Sequence, residues 1–214
     1  MTILQIFSLA AFLLVVGLIL KNIHFEQFRS DSRRQHIVFG AAASVFFLWI
    51  FRAGIFPGLD VHFLWLPALA LTLGFRFALL TATIALAGTT LVGLDDWAMF
   101  GVNGLLGVCA PIALTYLIYI ISFHRIPRNL FVYIFVCAFF PGAAMIAIKM
   151  GLLGGYYFVD GIYDWDVIRD NYLILIPLLL FPEGMLNGMT ITLLTIYKPE
   201  WVYTFHDKFY IDKK

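Results

Sequence analysis

Residues 3 to 20 carry no charged side chain, and six further apolar segments follow before the chain reaches its polar tail. At a rise of about 1.5 Å per residue, roughly 20 such residues cross the 30 Å hydrocarbon layer of a bilayer. A water-soluble fold of 214 residues has no core large enough to hide this much apolar surface. Charged residues make up 13% of the chain, against roughly 25% in a soluble domain. The expected fold is all-α: a polytopic transmembrane helical bundle forming a single integral membrane domain over residues 1–214.

The segments fall at approximately 3–20, 37–56, 62–73, 77–93, 98–123, 130–151 and 171–197. No small-residue cleavage site follows the first, so it is expected to be a true span and not a signal peptide. Pro57-Gly58 marks a turn, and Gly74-Phe75-Arg76 divides a stretch too long for one span. The resulting segment 62–73 is too short for a standard crossing and is expected to be re-entrant or steeply packed. Pro111, Pro141, Pro177 and Pro182 fall inside spans, and residues 154–170 form a polar, aromatic loop.

Charge gives the orientation. With the amino terminus outside, the inner links hold Lys21, Arg29, Arg33, Arg34, Arg76, Arg125, Arg128, Lys198, Lys208, Lys213 and Lys214. Basic residues in short loops are retained in the cytoplasm, so an outside amino terminus and a cytoplasmic carboxyl terminus are expected. Trp49, Trp65, Trp97, Trp165 and Trp201 sit near span ends, where indole rings suit the headgroup zone. A net charge of +1 gives no support to nucleic-acid binding. Cys109 and Cys137 have no CxxC partner, so neither a disulfide nor a zinc ribbon is indicated.

Function is sought among polar groups at bilayer depth, which cost roughly 2.5–3.5 kcal/mol each to insert. Glu183 and Asn187 lie four residues apart on one face of the last span, beside Pro182 and two glycines. They are candidates either for binding a cation or substrate, or, for Glu183, for an internal ion pair with Arg52 or Lys149. His62 is a candidate metal ligand with Asp60 or Asp96 as neighbours, or else a packing histidine. Asn103, just past the acidic turn Asp95-Asp96-Trp97, is a further buried amide. GxSxG, HExxH and phosphate-loop elements are absent, so neither enzymatic activity nor a cofactor is expected.

Several stretches together resemble a known group. They are Arg52 to Ile55 with Pro57 to His62, Asp95-Asp96-Trp97 with Gly101 to Gly104, Pro127 to Phe135, Phe181 to Met189, and Lys198 to Asp207. The group is the short bacterial membrane proteins classed as energy-coupling-factor transporter permeases, remotely similar to the CbiM-type cobalt/nickel uptake component. In the metal permeases a Met-His start and a later histidine supply ligands; His62 matches the later one, whereas this sequence begins Met1-Thr2. The resemblance implies a substrate-capturing or permease subunit that takes a small cation or metal complex. Its implied partners are membrane lipid, a second permease subunit and a cytoplasmic ATPase. On that reading Asp60, His62, Asp96 and Asn103 line an outer pocket, and Glu183 and Asn187 form a deeper station. The other class is a non-transporting accessory protein that docks through residues 154–170 and 201–210.

Overall fold

A helix satisfies its backbone internally, which is what hydrocarbon demands of a spanning segment. The computed structural model describes residues 1–23 and 25–210. Among these the structure is helical apart from connecting segments, with one isolated antiparallel bridge between Ala53 and Val61. Helix α1 is Ile3–Lys21, α2 is Phe25–Ser30, α3 is Ser32–Ile50 and α4 is Leu66–Leu91. Helix α5 is Trp97–Arg125 and α6 is Leu130–Val159. Helices α7 (Trp165–Asn171), α8 (Ile176–Tyr197) and α9 (Asp207–Tyr210) complete the order.

Five helical segments are long and apolar enough to cross a membrane: α1, α4, α5, α6 and Trp165–Tyr197. The protein is therefore a multi-pass membrane protein. Its ends are set by local chemistry. Thr2 and Gln5 form a capping box at the start of α1, and Asp31 Oδ1 accepts from Arg34 N at 2.9 Å to start α3. Helix α4 sits centrally, with 67% of its most apolar window buried against 17% for α1 at the edge of the bundle. It packs on α3, α5 and α8, and α8 packs along α6. Gly101 lets α1 close onto α5, because a Cβ there would lie 2.4 Å from the backbone of Leu9.

Prolines shape α5 and α6 without ending them. Each helix widens into a π-helical segment, Asn103–Cys109 and Tyr133–Phe139, shortly before Pro111 and Pro141. Proline lacks an N–H and its ring clashes with the carbonyl four residues back, so a wider turn at that point relieves both defects.

The segment expected to run to residue 56 as helix stops at Ile50, and residues 51–65 descend as irregular, partly extended chain pinned by the Ala53–Val61 bridge. Residues 154–170, expected as a loop, are helical at both ends, since α6 continues to Val159 and α7 begins at Trp165. Pro177 does not interrupt the last span. It sits in the first turn of α8, where a missing N–H costs nothing. Lys213 and Lys214, assigned above to the cytoplasmic tail, lie outside the described residues.

The break expected at Gly74-Phe75-Arg76 is present. Gly74 has φ 73° and ψ 165° inside α4, a conformation open to glycine almost alone, so Leu66–Leu73 forms a half-helix. Replacing Gly74 by alanine is expected to lower stability by about 1–3 kcal/mol, compounded by Tyr203, whose ring would lie 2.8 Å from the added carbon. Thermal unfolding in detergent reads this, and an unchanged midpoint would contradict it.

Candidate functional site

A half-helix buried in a bundle exposes orphan N–H groups at one end and orphan carbonyls at the other. Both sets are answered here. At its start, Leu64 N donates to Glu183 Oε2 at 2.9 Å and Trp65 N to Glu183 Oε1 at 2.8 Å. Ala68 N donates to Asn187 Oδ1 at 2.8 Å, and Asn187 Nδ2 donates back to Glu183 Oε1 at 2.8 Å. At its end, Tyr203 N donates to Thr72 O at 3.0 Å and Thr204 N to Leu71 O at 3.2 Å. Thr204 Oγ1 adds a donation to Leu71 O at 2.9 Å. The carboxylate at the helix start also meets the positive end of the helix dipole.

This arrangement corrects the ion-pair expectation for Glu183. Among the described residues, neither Arg52 nor Lys149 pairs with it. Its two oxygens are taken by backbone N–H groups that the irregular segment 51–65 leaves unpaired, and both Glu183 and Asn187 have 0% exposure. They support the half-helix and do not line the cavity described next.

Segment 51–65 carries the charged residues down into the bundle. There Arg52, Asp60 and His62 meet Asp95, Asn103 and Lys149 around a cavity of about 40 Å3, closed on its apolar side by Trp49, Leu86, Val108 and Leu153. Arg52 joins the two carboxylates, with Nη1 3.0 Å from Asp60 Oδ2 and 3.0 Å from Asp95 Oδ1. Its Nη2 reaches Asp95 Oδ2 at 3.4 Å, and its Nε donates to Trp49 O at 2.9 Å, which fixes the plane of the guanidinium. Asn103, at the start of the π segment of α5, extends its amide to Asp95 Oδ1 at 3.5 Å. Trp49 does not lie in the headgroup zone. It is 3% exposed, donates to Leu64 O and lies against the His62 ring. Trp65 likewise turns inward and donates to Thr190 Oγ1 at 2.8 Å.

The protonation pattern of His62 follows from its partners. Nδ1 lies 3.0 Å from Phe63 O, and a carbonyl only accepts, so Nδ1 carries the proton. Nε2 is then the acceptor, and Lys149 Nζ donates to it at 2.9 Å. The imidazole is neutral and its one free lone pair faces the lysine.

The cavity thus gathers Asp60, His62 and Asn103 from the residues expected to line it. Asp96 does not join them. It caps the turn that opens α5, accepting from Ala98 N at 2.8 Å, and its neighbour Asp95 takes the inward place. Two cavity residues were read only as ion-pair candidates: Arg52, expected within a span, and Lys149, the one charged side chain of α6 and 6% exposed. No group of three or more histidine, cysteine, aspartate or glutamate side chains is placed to hold a metal ion among the described residues. A metal entering here would have His62 Nε2 as its nitrogen donor only once Lys149 had left it.

A larger cavity, about 630 Å3, opens near the other end of α3, lined by Asn22, Arg34, Arg76, Tyr116 and Tyr203 among apolar side chains. Arg34 there stacks 4.4 Å above the Phe77 ring, and Arg76 Nη1 donates to Asn22 O at 2.8 Å. It lacks the imidazole and carboxylates of the smaller one.

Comparisons with known proteins agree with this architecture. A solved structure described as a truncated transition metal transporter superposes with a TM-score of 0.74 at 17% identity, over 93% of this chain and 94% of that one. A second, described as a transition metal transporter, gives 0.73 at 18% identity, over 92% and 88%. At such identities the likeness is one of fold. A search of curated protein sequences found no match. The family profile described as CbiM, cobalt uptake substrate-specific transmembrane region, matches residues 2–201, and the chain belongs to that family.

Proposed function

We propose that this chain is the membrane-embedded, substrate-capturing subunit of an energy-coupling-factor-like uptake system. Its substrate on this reading is a transition-metal cation or a small metal complex. It enters from outside at the cavity of Asp60, His62, Asp95 and Asn103. The observation that carries the proposal is the convergence of an imidazole, two carboxylates, an amide and two cations around one small cavity, three of them delivered by the unwound segment 51–65. Ionisable groups are rare at membrane depth and mark ion or substrate paths. Backbone that abandons helix there is tolerated where it lines a cavity.

The amino terminus faces outside and the carboxyl terminus the cytoplasm, in keeping with the bias of basic residues. On that orientation the larger cavity, with Arg34 and Arg76, opens inward and is available to lipid headgroups or to a second permease subunit and its ATPase. The accessory-protein reading has less to stand on. The tail that would serve as its docking surface folds back onto the bundle, with Val202, Phe205 and Tyr210 buried against Tyr133 and Leu71.

The test is metal accumulation in cells that lack other uptake systems, measured for nickel, cobalt, copper and zinc. Wild type is expected to raise uptake of at least one of them, and His62→Ala to return it to background. If no metal accumulates, or if His62→Ala transports as well as wild type, the reading fails. Co-purification with an ATPase supports the coupled system, and co-purification with an unrelated enzyme supports the accessory class.

A further inference from the structure

We propose that Lys149 is an affinity-setting residue whose ammonium fills the cation seat beside His62, so that a metal ion enters only by displacing it. The inference rests on reading this cavity as the cation site.

Five observations lead to it. Lys149 Nζ lies 2.9 Å from His62 Nε2, on the lone pair through which an imidazole binds metal. Because His62 Nδ1 is committed to Phe63 O, the ring has no second nitrogen to offer. Lys149 is buried, yet among the described residues it makes no ion pair within 4.0 Å, since Arg52 already takes Asp60 and Asp95. The cavity is charge-balanced by two cations and two carboxylates, so an added dication meets the lysine ammonium at close range with no spare carboxylate between them. Gly107 faces the lysine stem, and a Cβ there would lie 3.8 Å from Lys149 Cε, so the stem passes close to the helix that carries Asn103.

A tethered ammonium therefore acts as an internal competitor. It disfavours loose capture of abundant cations that bind the imidazole weakly and yields to an ion that binds it strongly. The displacement cost is the same for every entrant, so it lowers all affinities together and leaves only strong imidazole binders captured at low concentration.

The experiment uses the purified full chain in detergent with cobalt, nickel or zinc chloride as the sole added ligand, followed by calorimetry. Lys149→Met is expected to bind at least one of these ions about tenfold more tightly than wild type, a difference of about 1.4 kcal/mol. Adding His62→Ala to Lys149→Met is expected to abolish the gain. Lys149→Gln, which keeps an N–H donor to Nε2 without the charge, guards against a folding artefact and is expected to fall between the two. In Lys149→Ala, methylammonium at tens of millimolar is expected to refill the seat and weaken metal binding, with no such effect on wild type. Equal affinities for wild type and the Met and Gln variants overturn the proposal, as does the absence of binding in all of them. So does a gain that survives loss of His62. The uptake assay on His62→Ala stands apart from these outcomes, so the transport reading and the role of Lys149 fail separately.

Discussion

Replacing Glu183 by alanine is expected to cost about 2–6 kcal/mol, because two buried backbone N–H groups, of Leu64 and Trp65, lose their acceptors at roughly 1–3 kcal/mol each. Asn187 keeps the backbone carbonyl of residue 183 for its amide but loses Oε1. The start of the half-helix would lose its anchor on α8, and segment 51–65 would lose its fixed lower end. Glu183→Gln is expected to be intermediate: one side-chain oxygen still accepts, while the amide nitrogen turns a donor toward another donor. The measurement is the temperature at which monodisperse protein is lost in detergent. Should Glu183→Ala melt with wild type while abolishing uptake, Glu183 is a substrate ligand and not a clamp.

Arg52→Met is the second large effect. It leaves Asp60 and Asp95 facing one another without their shared cation, and breaking a buried pair typically costs about 3–5 kcal/mol. The lower figure applies here, because the Asp60 side chain keeps 20% of its surface exposed and solvent screens part of the repulsion. Adding Asp95→Asn to Arg52→Met removes one of the opposed charges and is expected to recover a substantial part of the loss. Equal stability of Arg52→Met and wild type would mean that the guanidinium does not hold the two carboxylates together.

The all-helical membrane class was legible because hydrocarbon imposes one rule on every residue of a run, and a charge-free stretch such as 3–20 has no alternative to helix. Among the described residues five helices are long and apolar enough to cross, and the segment expected at 37–56 is not among them. The break at Gly74 was legible too, since only a glycine tolerates that backbone. What the sequence concealed was the end of α3. Residues 51–56 are as apolar as a span, apart from Arg52 and a glycine, but they lie as irregular chain: Ala53 pairs with Val61, and the far end of the segment is held by Glu183, whose carboxylate takes the backbone of Leu64 and Trp65 from at least 118 residues away. A tertiary partner at that separation leaves no local periodicity.

The site was half legible for the same reason. His62, Asp60 and Asn103 stand out as polar groups beside turns. Choosing between Asp95 and Asp96 required the helix phase at the start of α5, which a 3₁₀ turn followed by a π segment shifts away from regular spacing. Lys149 was visible as a lone charge in an apolar run, but its partner was not, because a neutral imidazole gives no electrostatic signal in a sequence. The pairing of Lys149 with His62 turns two separate oddities into one feature.

The most direct test locates the substrate. Protein crystallised at saturating cobalt and measured at the cobalt absorption edge is expected to show an anomalous peak beside His62 Nε2, within reach of Asp60 or Asn103, with Lys149 Nζ moved away. A peak confined to the larger cavity near Arg34 and Arg76, or no peak beside His62 while its hydrogen bond to Lys149 persists, would contradict the account.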